Sequence, residues 1–450
     1  MKTNTSNRCL VLAVLAALVA GMAGCEKRPQ SVTGEAMPPV VVRVAENSGY
    51  AGAAACKECH EEIFNGWRAT FHAYKFQPVN PGFIIGDFSR NNTLTEQKNS
   101  AEMTREGDRF FVTVNDAAGK KKRHPVDYVL GSVWKQRYVT RGEGGGLYVL
   151  PVQWNVLNRS WVGYHDLEQE NAQSGPWDAP ANAFQFRCMG CHTTNASVTG
   201  GVNGQPFETT WSDLGVACEA CHGPGAAHVR APVREKASTI LNPAKMADPG
   251  RAAAICGSCH TRGKSPDGKF SYAVGFHPGD TLDFLMAQSP DMYPDTSPKE
   301  HHQQFNDWQA SGHARSGVMC WDCHSPHATG KSNRFQVKLP GSMLCATCHT
   351  VTNTGVHALH SVNNCIGCHM PSTVQSATPG DLRSHRFVVV RPELTVKAGN
   401  MKTQPNSCNL CHYHKDTDPE RLVHQLNAAK KPKFCKECHY HAEQDPEDED

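Results

Sequence analysis

Val318-Met319-Cys320-Trp321-Asp322-Cys323-His324-Ser325-Pro326-His327 and, a short way on, Leu344-Cys345-Ala346-Thr347-Cys348-His349 carry two copies of Cys-x-x-Cys-His. This is the attachment signature of c-type haem. On a helical turn, residues i, i+3 and i+4 share a face. Two thiols can therefore reach the vinyl edge of one porphyrin while the histidine rises beneath its iron.

The pattern recurs along the chain. Besides Cys320, Cys323, His324 and Cys345, Cys348, His349, it appears as Cys56, Cys59, His60; Cys188, Cys191, His192; Cys218, Cys221, His222; and Cys256, Cys259, His260. Three more copies are Cys365, Cys368, His369; Cys408, Cys411, His412; and Cys435, Cys438, His439. These nine copies use 18 of the 20 cysteines. Cys-x-x-Cys is also zinc-ligand spacing, but zinc does not require a histidine after every second cysteine. With 24 His in 450 residues, nine chance repeats of that histidine have a probability on the order of 10⁻¹². The implied cofactor complement is nine covalently attached haem c groups.

Hydrophobic residues make up 39% of the chain, haem-linked cysteines included. The protein core is thin, and about 47 residues serve each haem, so the porphyrins must supply much of the apolar filling. The expected fold is mostly irregular: short α-helices wrapped around a nine-haem array, plus a small antiparallel β subdomain. Lys+Arg 45 and Asp+Glu 43 nearly balance. Nine haems add roughly 18 propionate charges and about nine positive ferric centres, so the loaded protein is acidic and gains negative charge on reduction. Nothing here suggests a nucleic-acid partner.

The remaining cysteines, Cys9 and Cys25, lie in a leader. Lys2 and Arg8 precede an apolar run from Leu10 to Ala20, followed by Met22-Ala23-Gly24-Cys25. This reads as a secretory signal, too short for a committed span. It resembles the lipobox of bacterial lipoproteins, in which cleavage leaves a lipidated cysteine; ordinary signal cleavage is the alternative, Met22 standing where Leu is usual. Both export the chain to the periplasm, outer membrane or cell surface. The expected divisions are 1–24, signal peptide; 25–50, flexible tether; 51–275, haems 1–4 with a β-rich insertion at 81–180; 276–441, haems 5–9 with the doubled motif at 320–349; and 442–450, an acidic tail.

Ile63, Phe64, Trp67 and Phe71 fall at helical spacing and predict a helix with His72 at its end. Phe110–Val114, 127–130, Tyr138–Val139 and Leu147–Trp154 are β-branched or aromatic runs separated by turn residues. The cluster Lys120–Arg123 reads as a solvated face. Asp418 and Pro419 read as N-cap and first helical residue.

What occupies each iron's sixth position separates an electron carrier from an enzyme. The 24 histidines less nine motif histidines leave 15. His124, His165, His301 and His414 read as ordinary surface or hydrogen-bonding residues. His228, His313 and His327 stand close to motifs.

Gly215-Val216-Ala217-Cys218-Glu219-Ala220-Cys221-His222-Gly223-Pro224-Gly225, with His228, resembles multihaem cytochromes of the hydroxylamine oxidoreductase and ammonia-forming nitrite reductase superfamily. Cys320–His349 with Ser325-Pro326-His327 resembles that group's doubled CXXCH module; Trp67 to His72, Ser311-Gly312-His313 and Arg383-Ser384-His385 resemble its histidine contexts. The resemblance implies closely packed, mostly bis-histidine haems, with distal ligation by His72, His228, His313, His327 and His385. His277, His302, His360 and His424 complete the expected ligand set, with His357 and His441 as substitutes. The nitrite reductases use a lysine in place of one motif histidine, whereas all nine motifs here end in His, and no tyrosine here is identifiable as counterpart of the oxidoreductases' cross-link.

The leading expectation is therefore a nonahaem conduit of low-potential haems in anaerobic or extracellular respiration, with no catalytic residues. Its partners would be electron donor and acceptor proteins or an extracellular acceptor, and a membrane through lipidated Cys25. The alternatives are a reductase or oxidase of a small nitrogen or sulfur compound, with one open iron near the β subdomain, and a homo-oligomer or subunit of an extracellular haem filament.

Overall fold

The computed structural model describes residues 49–429 apart from 97–98, 116–119, 165–174, 284, 289, 328–334, 351–355 and 361–363. The leader with Cys25, all but the end of the tether, His165, the ninth motif (Cys435, Cys438, His439), His441 and the acidic tail lie outside the described residues.

Nine strands form two antiparallel sheets: β1 (Phe76–Pro78), β2 (Thr93–Glu96), β3 (Asn99–Glu106), β4 (Arg109–Asn115), β5 (Lys121–Pro125), β6 (Tyr128–Leu130), β7 (Lys135–Arg141), β8 (Leu147–Asn155) and β9 (Ser160–Gly163). One sheet has the order β1-β6-β7-β8-β9, the other β2-β3-β4-β5. All of β8 is buried, so its run of Val, Leu, Tyr and Trp shows no alternation. In β5 the three basic residues Lys121 to Arg123 are exposed and His124 is buried. That basic face is anchored: Arg123 pairs with Glu106 at 2.6 Å and its guanidinium lies 3.6 Å over the Phe111 ring. The anticipated strand runs fall within β4, β6, β7 and β8. The polar strands β2, β3 and β5 are formed by neighbour pairing rather than by apolar pattern.

Both sheets bury side chains in one apolar cluster, which includes Met103, Val112, Tyr138 and Leu150. Phe184, Phe186 and Met189, which lead into and enter the second Cys-x-x-Cys-His motif, belong to the same cluster. Phe76 stacks between Tyr128 and Phe184, with ring centroids 4.7 and 4.3 Å away. The β-rich part therefore seats the second motif in particular.

The helix after the first motif runs Glu61–Arg68 and stops before Phe71 and His72. The difference has a visible cause. Trp67 Nε1 donates to the Val216 carbonyl at 2.9 Å, and Val216 N donates to the His72 carbonyl at 2.9 Å. These bonds pull the chain off the helical path and strap His72 beside the third motif. The close approach of these two segments needs a glycine: Gly215 has φ +74, and a Cβ there would stand 2.6 Å from the Ala73 carbonyl oxygen.

Beyond these two sheets, structure is short helices, loops and three two-stranded antiparallel ribbons. Asp248 caps the helix Pro249–His260 by accepting from Gly250 N and Arg251 N, and Pro249 is its first residue. Its buried alanines pack with Leu282, Met286 and Phe305 in a second small cluster. The expected C-terminal helix runs Pro419–Ala429, with Asp418 Oδ1 accepting from Glu420 N at 2.7 Å. Between them, buried polar groups replace apolar packing. Asn406 Nδ2 donates to Thr395 Oγ1 and Asn409 Oδ1, each at 2.8 Å, and Asn409 Nδ2 donates to the His414 and Thr417 carbonyls. Among the described residues no helix is long and apolar enough to cross a membrane.

Gly190, inside the second motif, lies under the Tyr272 ring, whose Cδ2 would be 2.1 Å from a Cβ. Tyr272 is itself fixed by donating its hydroxyl to the Gln185 carbonyl at 2.7 Å. Gly190→Ala should therefore cost about 1–3 kcal/mol through overpacking. The expected result is a lower thermal midpoint, with loss of haem at this motif by haem quantification; an unchanged midpoint and full haem content would contradict the packing account.

Candidate haem-binding site

The motifs adopt the geometry their spacing requires. Cys218–His222 and Cys365–His369 are each one helical turn. His60 N donates to Cys56 O, His324 N to Cys320 O and His349 N to Cys345 O, each at 2.9 Å, closing the same turn. None of the motif cysteines from Cys56 to Cys411 is tied up in a disulfide. Among the described residues no three His, Cys, Asp or Glu side chains converge as a zinc site would demand.

Two imidazoles binding one iron from opposite sides place their ring centroids about 6.3 Å apart, given Fe–N bonds of about 2 Å. The structure repeats this span. His60 faces His228 at 6.2 Å, His222 faces His327 at 5.9 Å, and His324 faces His385 at 6.3 Å. His349 faces His313 at 5.9 Å and His369 faces His357 at 6.3 Å. His260 has two such neighbours, His72 at 6.3 Å and His302 at 6.5 Å. These gaps, too wide for direct ring contact, fit an intervening haem iron.

Carbonyl groups set which nitrogen faces the gap. Nδ1–H donates to a backbone oxygen in His192 (Lys75, 3.2 Å), His222 (Leu241, 2.8 Å), His324 (Phe335, 2.9 Å), His228 (Lys236, 2.8 Å) and His385 (Arg383, 3.2 Å). Nε2 is left as the metal-binding atom. Burial pushes His72 and His192 down to about 3, and His260 and His385 to about 4. These rings are neutral at ordinary pH, the form that binds metal. His385 is further held by Asp307, whose Oδ2 accepts from His385 N at 2.6 Å and from Ser384 Oγ at 2.9 Å. Burial raises the Asp307 carboxyl to about 6.

Other expected residues lie elsewhere. His277 is exposed, its ring 3.7 Å from Asp280, and His424 is exposed on the C-terminal helix. Neither stands opposite a motif histidine among the described residues. His360 faces His414 at 5.9 Å, a pair outside the motifs, while His412 stacks on Tyr413 at 3.9 Å. His357, His301 and His414 gain their places from long-range folding, which local spacing does not reveal. His302 lies close enough for the charges of both His260 and His192 to act on it, so it stands between the fourth motif and the second.

Thiols of different motifs also meet. Cys56 lies beside Cys218, Cys191 beside Cys259, Cys256 beside Cys320, and Cys345 beside Cys365. Cys221, Cys323 and Cys368 lie near Cys259, Cys345 and Cys411 respectively. The motifs thus adjoin in the order first, third, fourth, fifth, sixth, seventh, eighth, with the second joined to the fourth as a branch. Glu219 locks the start of this series: its buried carboxylate accepts from Ala51 N, Gly52 N and Gly225 N at 2.7–2.8 Å.

Comparison with known proteins agrees with this reading. The doubled CXXCH motif family matches residues 313–354, and the cytochrome c554 and c-prime family matches 55–105 and 159–223. Among curated protein sequences, none matches the chain closely enough to count as a relative. The crystal structure of the outer cell wall cytochrome OcwA superposes with TM-score 0.61 at 22% identity, covering 84% of this chain and 88% of that one. The undecahaem cytochrome from the S-layer of Carboxydothermus ferrireducens gives TM-score 0.42 at 18% identity, over 97% of this chain and 67% of that one. The octahaem sulfite reductase MccA of Wolinella succinogenes gives 0.35 at 16%, over 78% and 61%. The chain is a multihaem c-type cytochrome that binds haem c covalently and has a multihaem cytochrome fold.

His228→Ala should convert one haem from low to high spin, read as a new high-spin signal in the ferric EPR spectrum. His277→Ala should leave the spectrum unchanged. The reverse pattern would refute the ring-pair assignment.

Proposed function

We propose that the chain is a nonahaem electron conduit, its irons mostly bis-histidine and of low potential, working in anaerobic or extracellular respiration. Bound haem supplies one-electron chemistry; the protein's part is to hold each ring pair and fix its tautomer. The observation that carries the reading is the unbroken adjacency of the first, third and fourth to eighth motifs, combined with opposed imidazoles at six of their histidines. Fixed ligation on both sides avoids rearrangement during transfer, and two imidazoles favour lower potentials than a methionine ligand. The ninth haem, at Cys435, Cys438 and His439, extends this set.

Electron donor and acceptor proteins, or an extracellular acceptor, are the proposed partners. Export and attachment of Cys25 to lipid would place the protein at the cell surface, in keeping with the outer-cell-wall description of OcwA. Self-association into a filament is a further arrangement this haem density allows.

The test is a reversible redox titration of the purified protein, with intact mass. Attachment of nine haems and complete, reversible reduction through low potentials are expected. A haem subset that fails to equilibrate with the rest would overturn the conduit. In a separate experiment, Cys25→Ser should release the exported protein from the membrane fraction into the soluble one; unchanged membrane association would rule out the lipid anchor.

A further inference from the structure

The eighth motif departs from the turn that closes its neighbours. In the first, fifth and sixth motifs the backbone N of the motif histidine donates to the carbonyl of the first cysteine. In the eighth, Cys411 N donates to Cys408 O and His414 N donates to Cys411 O, each at 3.0 Å. Among the described residues no bond from His412 N to Cys408 O closes the longer turn. The chain therefore tightens twice in succession. His412 is left exposed, its ring 3.9 Å from that of Tyr413, and Tyr413 is itself 79% exposed. No histidine ring stands opposite His412 among the described residues.

His414 is placed differently. It is half-buried, and its carbonyl accepts from Nδ2 of Asn409, a buried residue inside the motif, at 2.8 Å. Its ring faces His360 at 5.9 Å, the same separation as in the pairs His222–His327 and His349–His313. Two rings sharing one iron axis can take any twist about it, so the interplanar angle of 58° fits as well as the 77° of His349–His313. His360 Nδ1 donates to the Val356 carbonyl at 3.1 Å, which leaves Nε2 as its metal-binding atom.

The surroundings place a haem there. Ser407 Oγ, beside Cys408, donates to the Cys368 carbonyl at 2.9 Å, so the eighth motif abuts the seventh. His357, three residues before His360 on the same turn, faces the seventh motif's His369. Residues three apart share a helical face. One short turn thus presents one ring to each of two adjoining motifs.

We infer that the eighth haem, attached through Cys408 and Cys411, is held axially by His360 and His414, and that the motif's own His412 stands outside the coordination. The inference rests on the bis-histidine reading of the ring pairs. Only the last two motifs are followed by Tyr-His, the other run being Cys438-His439-Tyr440-His441.

The test uses the full-length holoprotein, with intact mass to count attached haem and ferric EPR to count high-spin irons. His414→Ala and His360→Ala should each keep full haem content and each gain one high-spin iron, which added imidazole returns to low spin. The double variant should gain no second one, because both rings serve the same iron. His424→Ala should change nothing. A high-spin signal in His360→Ala with none in His414→Ala would overturn the inference, showing that His412 is the ligand opposite His360. Unchanged spectra in both would overturn it as well, and so would a double variant with twice the signal of either single one. His228→Ala, measured alongside, tests the bis-histidine reading by itself: a high-spin signal there and none in His414→Ala leaves that reading standing while this inference falls.

Discussion

A neutral imidazole held about 6 Å from another, with one iron's width between them, is the constraint on which this structure depends. Each pair needs two segments brought to a fixed separation, often from distant parts of the chain. His60 must meet His228, and His222 must meet His327. The loops between are correspondingly strapped by specific bonds rather than by bulk apolar packing. Trp67 to Val216, Glu219 to the amides of Ala51 and Gly52, and Asp307 to His385 are such straps. A polar strap tolerates solvent and fixes direction, which suits a chain with little apolar core of its own.

Adjacency of motifs follows from the same straps. The third motif lies beside the first because Glu219, its second residue, caps the segment that enters the first. The fourth lies against both the second and the fifth through Cys259 and Cys256. Those two thiols sit one helical turn apart on Pro249–His260, so one rigid helix forms the junction. The β-rich core adds a different element. It carries apolar area and a fixed register, and both seat the second motif.

Much of this was legible residue by residue. The motif turns, the strands at Phe110–Val114 and Leu147–Trp154, and the Asp418–Pro419 helix start each depend on neighbours within a few positions. The same Asp-Pro signal at Asp248 and Pro249 marks the junction helix, yet it is obscured because alanines rather than large apolar residues line its buried face. Strands β2, β3 and β5 were hidden for another reason: their outward residues are polar, and the pairing of β2 with β3 and of β3 and β5 with β4 supplies what propensity does not. His72 sat on an apparently helical pattern that a long-range bond to Val216 interrupts.

By itself, the sequence determined the chemistry: thiol spacing and the trailing histidine specify haem attachment, because both act within one helical turn. It also determined where apolar strand runs occur. Tertiary structure alone decided which histidines face one another, since His357 and His414 gain their positions only when segments far apart in sequence fold together. It decided the order of the motifs and the branch at His192 for the same reason. Opposed rings and touching thiols are distances through space, and no local pattern encodes them.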